Sequence, residues 1–171
     1  PARLEVSLIQ GGVEVEAYDG KEVVVEARPA GEGRAREHEH EHDSRAGRRA
    51  GEDAGDGAGK SAGMRRIPND SFGLTVEEDD NSVEVSAASW RVATDLRILV
   101  PATTQLRISL VNEGDISVEG ITGDMELSNV NGSITVAGAA GTVLADTVNG
   151  EIEIVFMRLG GSGAMAFTSL N

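Results

Sequence analysis

From Arg3 to Arg28 apolar and polar residues alternate: Leu4, Val6 and Leu8, a break at Gly11-Gly12, Val13 and Val15, a break at Asp19-Gly20, then Val23 and Val25. Period-two alternation punctuated by glycine predicts short, half-buried strands. The pattern stops between Pro29 and Met64, which contain no Val, Ile, Leu, Phe, Tyr or Trp. Such a segment cannot bury enough apolar surface to offset its ordering entropy, so it reads as a polar insert. Alternation resumes with Phe72, Leu74 and Val76, then Val83 and Val85, then Leu96, Ile98 and Val100, then Leu106, Ile108 and Leu110. Asp79-Asp80-Asn81 and Pro101-Ala102 supply turn chemistry between these runs.

Beyond Leu110 the pattern becomes a repeat. Glycines fall at 114, 123, 132, 141 and 150, nine residues apart. Written as Gly-x-φ-x-φ-x-x-φ-x with φ apolar, the units place Ile116, Val118 and Ile121; Met125, Leu127 and Val130; Ile134, Val136 and Ala139; Val143, Ala145 and Val148; and Ile152 with Ile154 at φ positions. Asn131-Gly132 and Asn149-Gly150 stand 18 apart, with Glu113-Gly114 in the same phase. The spacing is wrong for a helix and leaves no room for crossover helices, so each unit is expected to be one short strand and a corner. The expected fold is an all-β parallel β-solenoid with nine-residue half-turns, about 18 residues per turn and a long polar insert. Ile116, Ile134 and Ile152 should then stack, as should Val118, Val136 and Ile154. Asn-Gly is expected at the corners because both residues tolerate positive φ. The organisation read from the sequence is one domain: residues 1–28 as N-terminal solenoid strands, 29–66 as the insert and 67–171 as solenoid repeats.

Composition fits this picture. Aromatic residues are 3% of the 171 and glycines number 22, so the core must be aliphatic and the turns many. Lys plus Arg is 15 against 29 Asp plus Glu, a net charge of −14. Between Arg28 and Arg66 there are nine basic and eight acidic residues, so the acidity lies outside the insert. A chain this acidic repels phosphate backbones and anionic lipid, which argues against nucleic acid as a partner. No stretch is long and apolar enough for a membrane span, and the absence of Cys excludes disulfides, thiolate metal sites and a cysteine nucleophile. The opening Pro1-Ala2-Arg3-Leu4 lacks a signal-peptide core, so a leader, if one existed, is expected to have been removed. Phe167-Thr168-Ser169-Leu170-Asn171 reads as an Asn-Gly corner cut before its glycine.

Val13-Glu14-Val15-Glu16-Ala17-Tyr18-Asp19-Gly20, Asp95-Leu96-Arg97-Ile98-Leu99-Val100-Pro101, Asn131-Gly132-Ser133-Ile134-Thr135-Val136 and Thr147-Val148-Asn149-Gly150-Glu151-Ile152 resemble the bacterial adhesin-like domain family. Its function is unknown and its fold is similar to a right-handed single-stranded β-helix. The resemblance covers the chain outside residues 29–66. It implies a single-stranded right-handed solenoid and an exported, extracellular or cell-envelope location, with no catalytic residues to carry over.

Candidate chemistry concentrates in Glu37-His38-Glu39-His40-Glu41-His42-Asp43. On an extended chain His38, His40 and His42 share one side, and imidazole with carboxylate suits a divalent transition metal. Glu-His tracts in Gly-rich surroundings are more often solvated loops, so metal taken up there reads as adventitious and no cofactor is expected. The residues after the repeat glycines, Asp115, Asp124, Ser133, Thr142 and Glu151, lack the acidic ladder of a calcium-binding roll. Asp115 with Glu119, and Glu151 with Glu153, are the nearest carboxylate pairs for hydrolytic chemistry, but strand alternation explains the second pair completely. Every His lies in the insert, so no Ser-His-Asp set can form among the repeats. Gly59-Lys60-Ser61 lacks the leading glycine of a phosphate loop, since Ala54 stands there. Trp90 is expected to pack over an end or corner.

The sequence therefore points to a structural, non-catalytic exported module for surface presentation, adhesion or assembly into a fibre. Head-to-tail self-association is expected, with Tyr18, Phe72, Phe156 and Phe167 as junction contacts and cell-envelope components as further partners. The alternative is a metal-binding or metal-sensing envelope protein using the Glu-His tract.

Overall fold

The computed structural model describes residues 2–30, 65–69 as backbone, 73–87, 89, 92–157 and 165–170. In chain order its strands are β1 Arg3–Gln10, β2 Val13–Tyr18, β3 Val24–Pro29, β4 Arg65–Asn69, β5 Leu74–Asp79, β6 Ser82–Ala87, β7 Thr94–Pro101, β8 Gln105–Asn112, β9 Ile116–Glu119, β10 Met125–Asn131, β11 Ile134–Ala139, β12 Val143–Asn149, β13 Ile152–Phe156 and β14 Ala166–Ser169. No helix occurs among the described residues. One sheet runs β14-β12-β10-β8-β1-β6-β5-β4 and the other β13-β11-β9-β2-β7-β3. The chain passes from one sheet to the other at each corner between β8 and β14, so parallel neighbours are joined through a strand of the opposite sheet. The parallel pairing therefore needs no helices.

The single-stranded right-handed parallel β-solenoid expected from the repeats together with the family resemblance is not what forms. The sheets are mixed: β3 pairs antiparallel to β7, β5 to β6 and β4 to β5. The stacking also departs from chain order, because β1 lies between β6 and β8, and β2 between β7 and β9. The N-terminal strand pair is thus inserted between two pairs that follow one another in sequence. Alternation can define a strand's buried face but not its neighbour, since the strand pair from Leu4 to Val15 presents the same aliphatic columns as any repeat unit.

Within the stack the registers are regular. Ile116 pairs with Ile134 and Ile134 with Ile152, while Val118 pairs with Val136 and Val136 with Ile154. In the other sheet Leu4, Leu106, Met125 and Val143 form one column, and Val6, Ile108, Leu127 and Ala145 the next. All eight of these are buried, as are Ile116, Val118, Ile134 and Val136, so the inner faces of both sheets meet in one aliphatic cluster. One residue breaks the nine-residue count: Leu106 to Ile116 is ten residues, where Met125 to Ile134 is nine. The break falls at the corner holding Glu113, whose φ of 39° is left-handed.

The glycine spacing has a steric cause. A Cβ on Gly11 would overlap the Thr94 carbonyl, one on Gly114 the Gly11 carbonyl, one on Gly132 the Gly114 carbonyl and one on Gly150 the Gly132 carbonyl. The opposite corner repeats this, Gly123 lying on Thr104 and Gly141 on Gly123. The two corners of each layer alternate along the chain, which gives nine residues between glycines. Asn131 and Asn149 do not take the positive φ expected of an Asn-Gly corner; among the described non-glycine residues only Asp80, Asn81 and Glu113 do.

Gly141→Ala tests the close approach without a φ penalty, because Gly141 does not have a positive φ. Overpacking against the Gly123 carbonyl should cost about 1–3 kcal/mol, read from the urea midpoint. Ser128→Ala, on the outer face of β10, should change it by less than about 0.5 kcal/mol.

Candidate functional site

The chemistry-bearing residues that the structure brings together lie on the corners. Asp95 Oδ1 accepts from the Gly12 N–H at 2.9 Å, Asp115 Oδ1 from the Ser133 N–H at 2.9 Å and Asp124 Oδ1 from the Thr142 N–H at 3.1 Å. Ser133 Oγ in turn accepts from the Glu151 N–H at 3.4 Å. The residues after Gly114, Gly123 and Gly132 thus tie their layers to the next, and of the positions weighed for calcium Asp115, Asp124 and Ser133 prove to be acceptors for backbone N–H groups. Asp115 and Asp124 are exposed, so each bond contributes modestly.

A second ladder lies inside. Asn129 and Thr147 are buried. Asn129 Nδ2 donates to the Gly114 carbonyl at 2.8 Å, Thr147 Oγ1 to the Gly132 carbonyl at 2.9 Å and Ser169 Oγ to the Gly150 carbonyl at 3.0 Å. The three align in register, and the same column holds Leu110 and Leu8 further along the sheet. The nine-residue unit predicts Val130 and Val148 for the core instead. Both are exposed, because alternation continues unbroken from Met125 through Leu127 to residue 129. The available signal was that run of odd-numbered inward positions, masked by the apolar character of Val130. A third ladder runs along the corner rim, where Asn131 Nδ2 donates to the Val111 carbonyl at 3.3 Å and Asn149 Nδ2 to Asn131 Oδ1 at 2.9 Å.

A cleft of about 590 Å³ opens at the corner of β2, β7 and β9, lined by Gly12, Glu14, Arg28, Asp95, Arg97 and Asp115 among others. Its arginines are engaged: Arg97 Nη2 stands 2.8 Å from Glu16 Oε2, and Arg28 Nη2 stands 3.0 Å from Glu26 Oε2. The hydrogen bond and charge of Glu16 hold the Arg97 guanidinium above its usual pKa, with Glu14 and Glu26 adding to the field. Asp95 is committed to the Gly12 N–H and Asp115 to the Ser133 N–H, so the cleft is built from groups with structural partners.

Glu151, just before β13, and Glu153 within it are exposed, beside a second cleft of about 440 Å³ with Ser133, Thr135 and Ile152. Asp115 precedes β9 and Glu119 ends it, both exposed. His38, His40 and His42, the Gly59-Lys60-Ser61 stretch, Phe72 and Trp90 lie outside the described residues. Among the described residues no group of three or more His, Asp or Glu side chains is placed to hold a metal, and no helix is long and apolar enough to cross a membrane. Tyr18 is half-buried and donates its hydroxyl to the Glu22 carbonyl, Phe156 is half-buried and Phe167 is exposed.

Family models, curated proteins and solved structures give no match to this chain.

Asn129→Ala should remove about 1–3 kcal/mol by stranding the Gly114 carbonyl, measured by urea unfolding. Asn129→Leu should lose less, since Leu110 occupies the adjoining place in the column. Asp115→Ala should cost about 0.5–1.5 kcal/mol, and millimolar calcium should restore none of it. A melting temperature that calcium raises in the unsubstituted chain but not in Asp115→Ala would reassign that corner to ion binding.

Proposed function

We propose that this protein is a structural, non-catalytic β module that works by presenting a regular, rigid surface and by associating with copies of itself or with other cell-envelope components. The observation that carries the reading is the corner ladder. Asp95, Asp115, Asp124, Asn129 and Thr147 are the residue types an active site would use, and each is spent on the backbone of a neighbouring layer. A layer held in this way has little freedom to reposition a side chain around a substrate. The outer faces carry ordered columns instead: Ser86, Ser7, Ser109, Ser128, Asp146 and Thr168 line up across six strands. Such a surface suits repeated contact with a partner better than chemistry on a small molecule. An exported location follows from the resemblance to the bacterial adhesin-like domains.

Deletion of residues 34–63 is the deciding experiment. The structural reading expects the shortened chain to keep its strand content by circular dichroism and its unfolding midpoint within about 0.5 kcal/mol of the full chain. Zinc or nickel uptake by the Glu-His tract should vanish without effect on self-association. Collapse of the association together with metal uptake would transfer the function to His38, His40 and His42.

A further inference from the structure

The strands of residues 3–29 make no ladder with one another. Among the described residues β1 pairs with β6 and β8, β2 with β7 and β9, and β3 with β7 alone. Every strand neighbour of this segment therefore lies between Ser82 and Glu119. Its ends and corner are bonded to the same stretch on both sides. The Arg3 N–H donates to the Asn81 carbonyl at 3.0 Å and the Gln105 N–H to the Ala2 carbonyl at 2.9 Å. At the next corner the Gly11 N–H donates to the Glu113 carbonyl at 3.1 Å and the Leu96 N–H to the Gly12 carbonyl at 2.9 Å. Leu4, Val6, Leu8, Val13 and Val15 are all buried there.

The slot that holds the segment is one continuous piece of chain. β6 and β7 form one wall and β8 and β9 the other, joined by residues 102–104, where the Thr104 N–H donates to the Pro101 carbonyl at 2.9 Å. β6 and β8 stand two strand spacings apart, about 9.6 Å. One strand of the first segment fills that gap in each sheet. The segment's covalent tie to its own slot is residues 30–64, which contain no Val, Ile, Leu, Phe, Tyr or Trp.

Resting on the structural reading above, we propose that this slot also receives residues 1–29 of a second copy, so that chains folding close together exchange their N-terminal segments. The contacts are the same whichever chain supplies the segment, so the tether alone decides between the two. A polar chain of about 35 residues spans about 33 Å on average. That corresponds to an effective concentration on the order of 10 mM for a chain's own segment. Exchange should thus claim about a thousandth of chains folded at about 10 µM and about a tenth of those folded at about 1 mM. Leaving the slot breaks the ladders on both sides and bares the five aliphatic side chains, so a segment stays where folding placed it. Reciprocal exchange closes a dimer, the expected product at these concentrations, and exchange passed from chain to chain extends a fibre.

The chain has no Cys, so single substitutions report which copy supplies the segment. Ser7 and Ser109 are exposed register partners on β1 and β8, at a strand spacing that a disulfide can bridge. Ser7→Cys and Ser109→Cys chains are unfolded together in urea, refolded at about 10 µM or about 1 mM, diluted to about 10 µM and then oxidised. The expected result is a disulfide from position 7 of one chain to position 109 of the other, about a hundredfold more abundant after the concentrated refolding. Ser128→Cys in place of Ser109→Cys should give none, because β8 stands between β10 and β1. Sedimentation of the unsubstituted chain after the same refolding needs no disulfide, and a dimer that survives dilution is expected. A crosslink that ignores the refolding concentration, one that Ser128→Cys gives equally, or a monomer after concentrated refolding would each overturn the proposal. A dimer that dissociates on dilution would also overturn it and leave the structural reading standing, whereas loss of that reversible association on deleting residues 34–63 would remove the structural reading.

Discussion

At the corners held by Gly11, Gly114, Gly123, Gly132, Gly141 and Gly150 the backbone of one layer rests on the backbone of the next, with no space between them for a Cβ. The Gly114 carbonyl lies where a side chain on Gly132 would begin, and the Gly132 carbonyl where one on Gly150 would begin. That contact fixes how far apart the layers lie, and through it the inter-strand hydrogen bonds and the register of the aliphatic columns. It also brings the corner carbonyls into the interior, where each needs a donor. Asn129, Thr147 and Ser169 meet that need for Gly114, Gly132 and Gly150. A polar position inside an aliphatic core is thus a direct consequence of the close approach.

The same corners decide what remains for function. The Asp carboxylates that follow the turns hold backbone N–H groups of the adjoining layer, and the arginines of the cleft at β2, β7 and β9 are paired with glutamates. What the stack leaves to the outside is order: columns of hydroxyls and of Val111, Val130 and Val148 at the spacing of neighbouring strands. Order of this kind is useful for contact between large surfaces.

The insertion of β1 and β2 between β6–β7 and β8–β9 ties the first residues of the chain to its middle. Closing those pairings requires the chain to bring together segments separated by about a hundred residues, as in Leu4 with Leu106 and Val13 with Ile116. Such long-range pairs are slow to form, because loop closure precedes any stabilising contact. Once formed, they surround the N-terminal pair with strands on both sides.

The sequence by itself determined the all-β class, the aliphatic core and the 18-residue register between Ile116, Ile134 and Ile152, because period-two alternation and recurrent glycine report strand faces and tight corners directly. It determined neither the antiparallel strands nor the place of β1 and β2, since Leu4, Val6 and Leu8 would fit against any aliphatic column of the same width. It also put Val130 and Val148 inside and passed over Asn129 and Thr147, whose burial depends on a carbonyl supplied by a glycine 15 residues earlier in the chain. Hydrophobicity is a property each residue carries alone. Which strand lies beside which, and whether a buried polar group finds its partner, are settled only when distant segments meet.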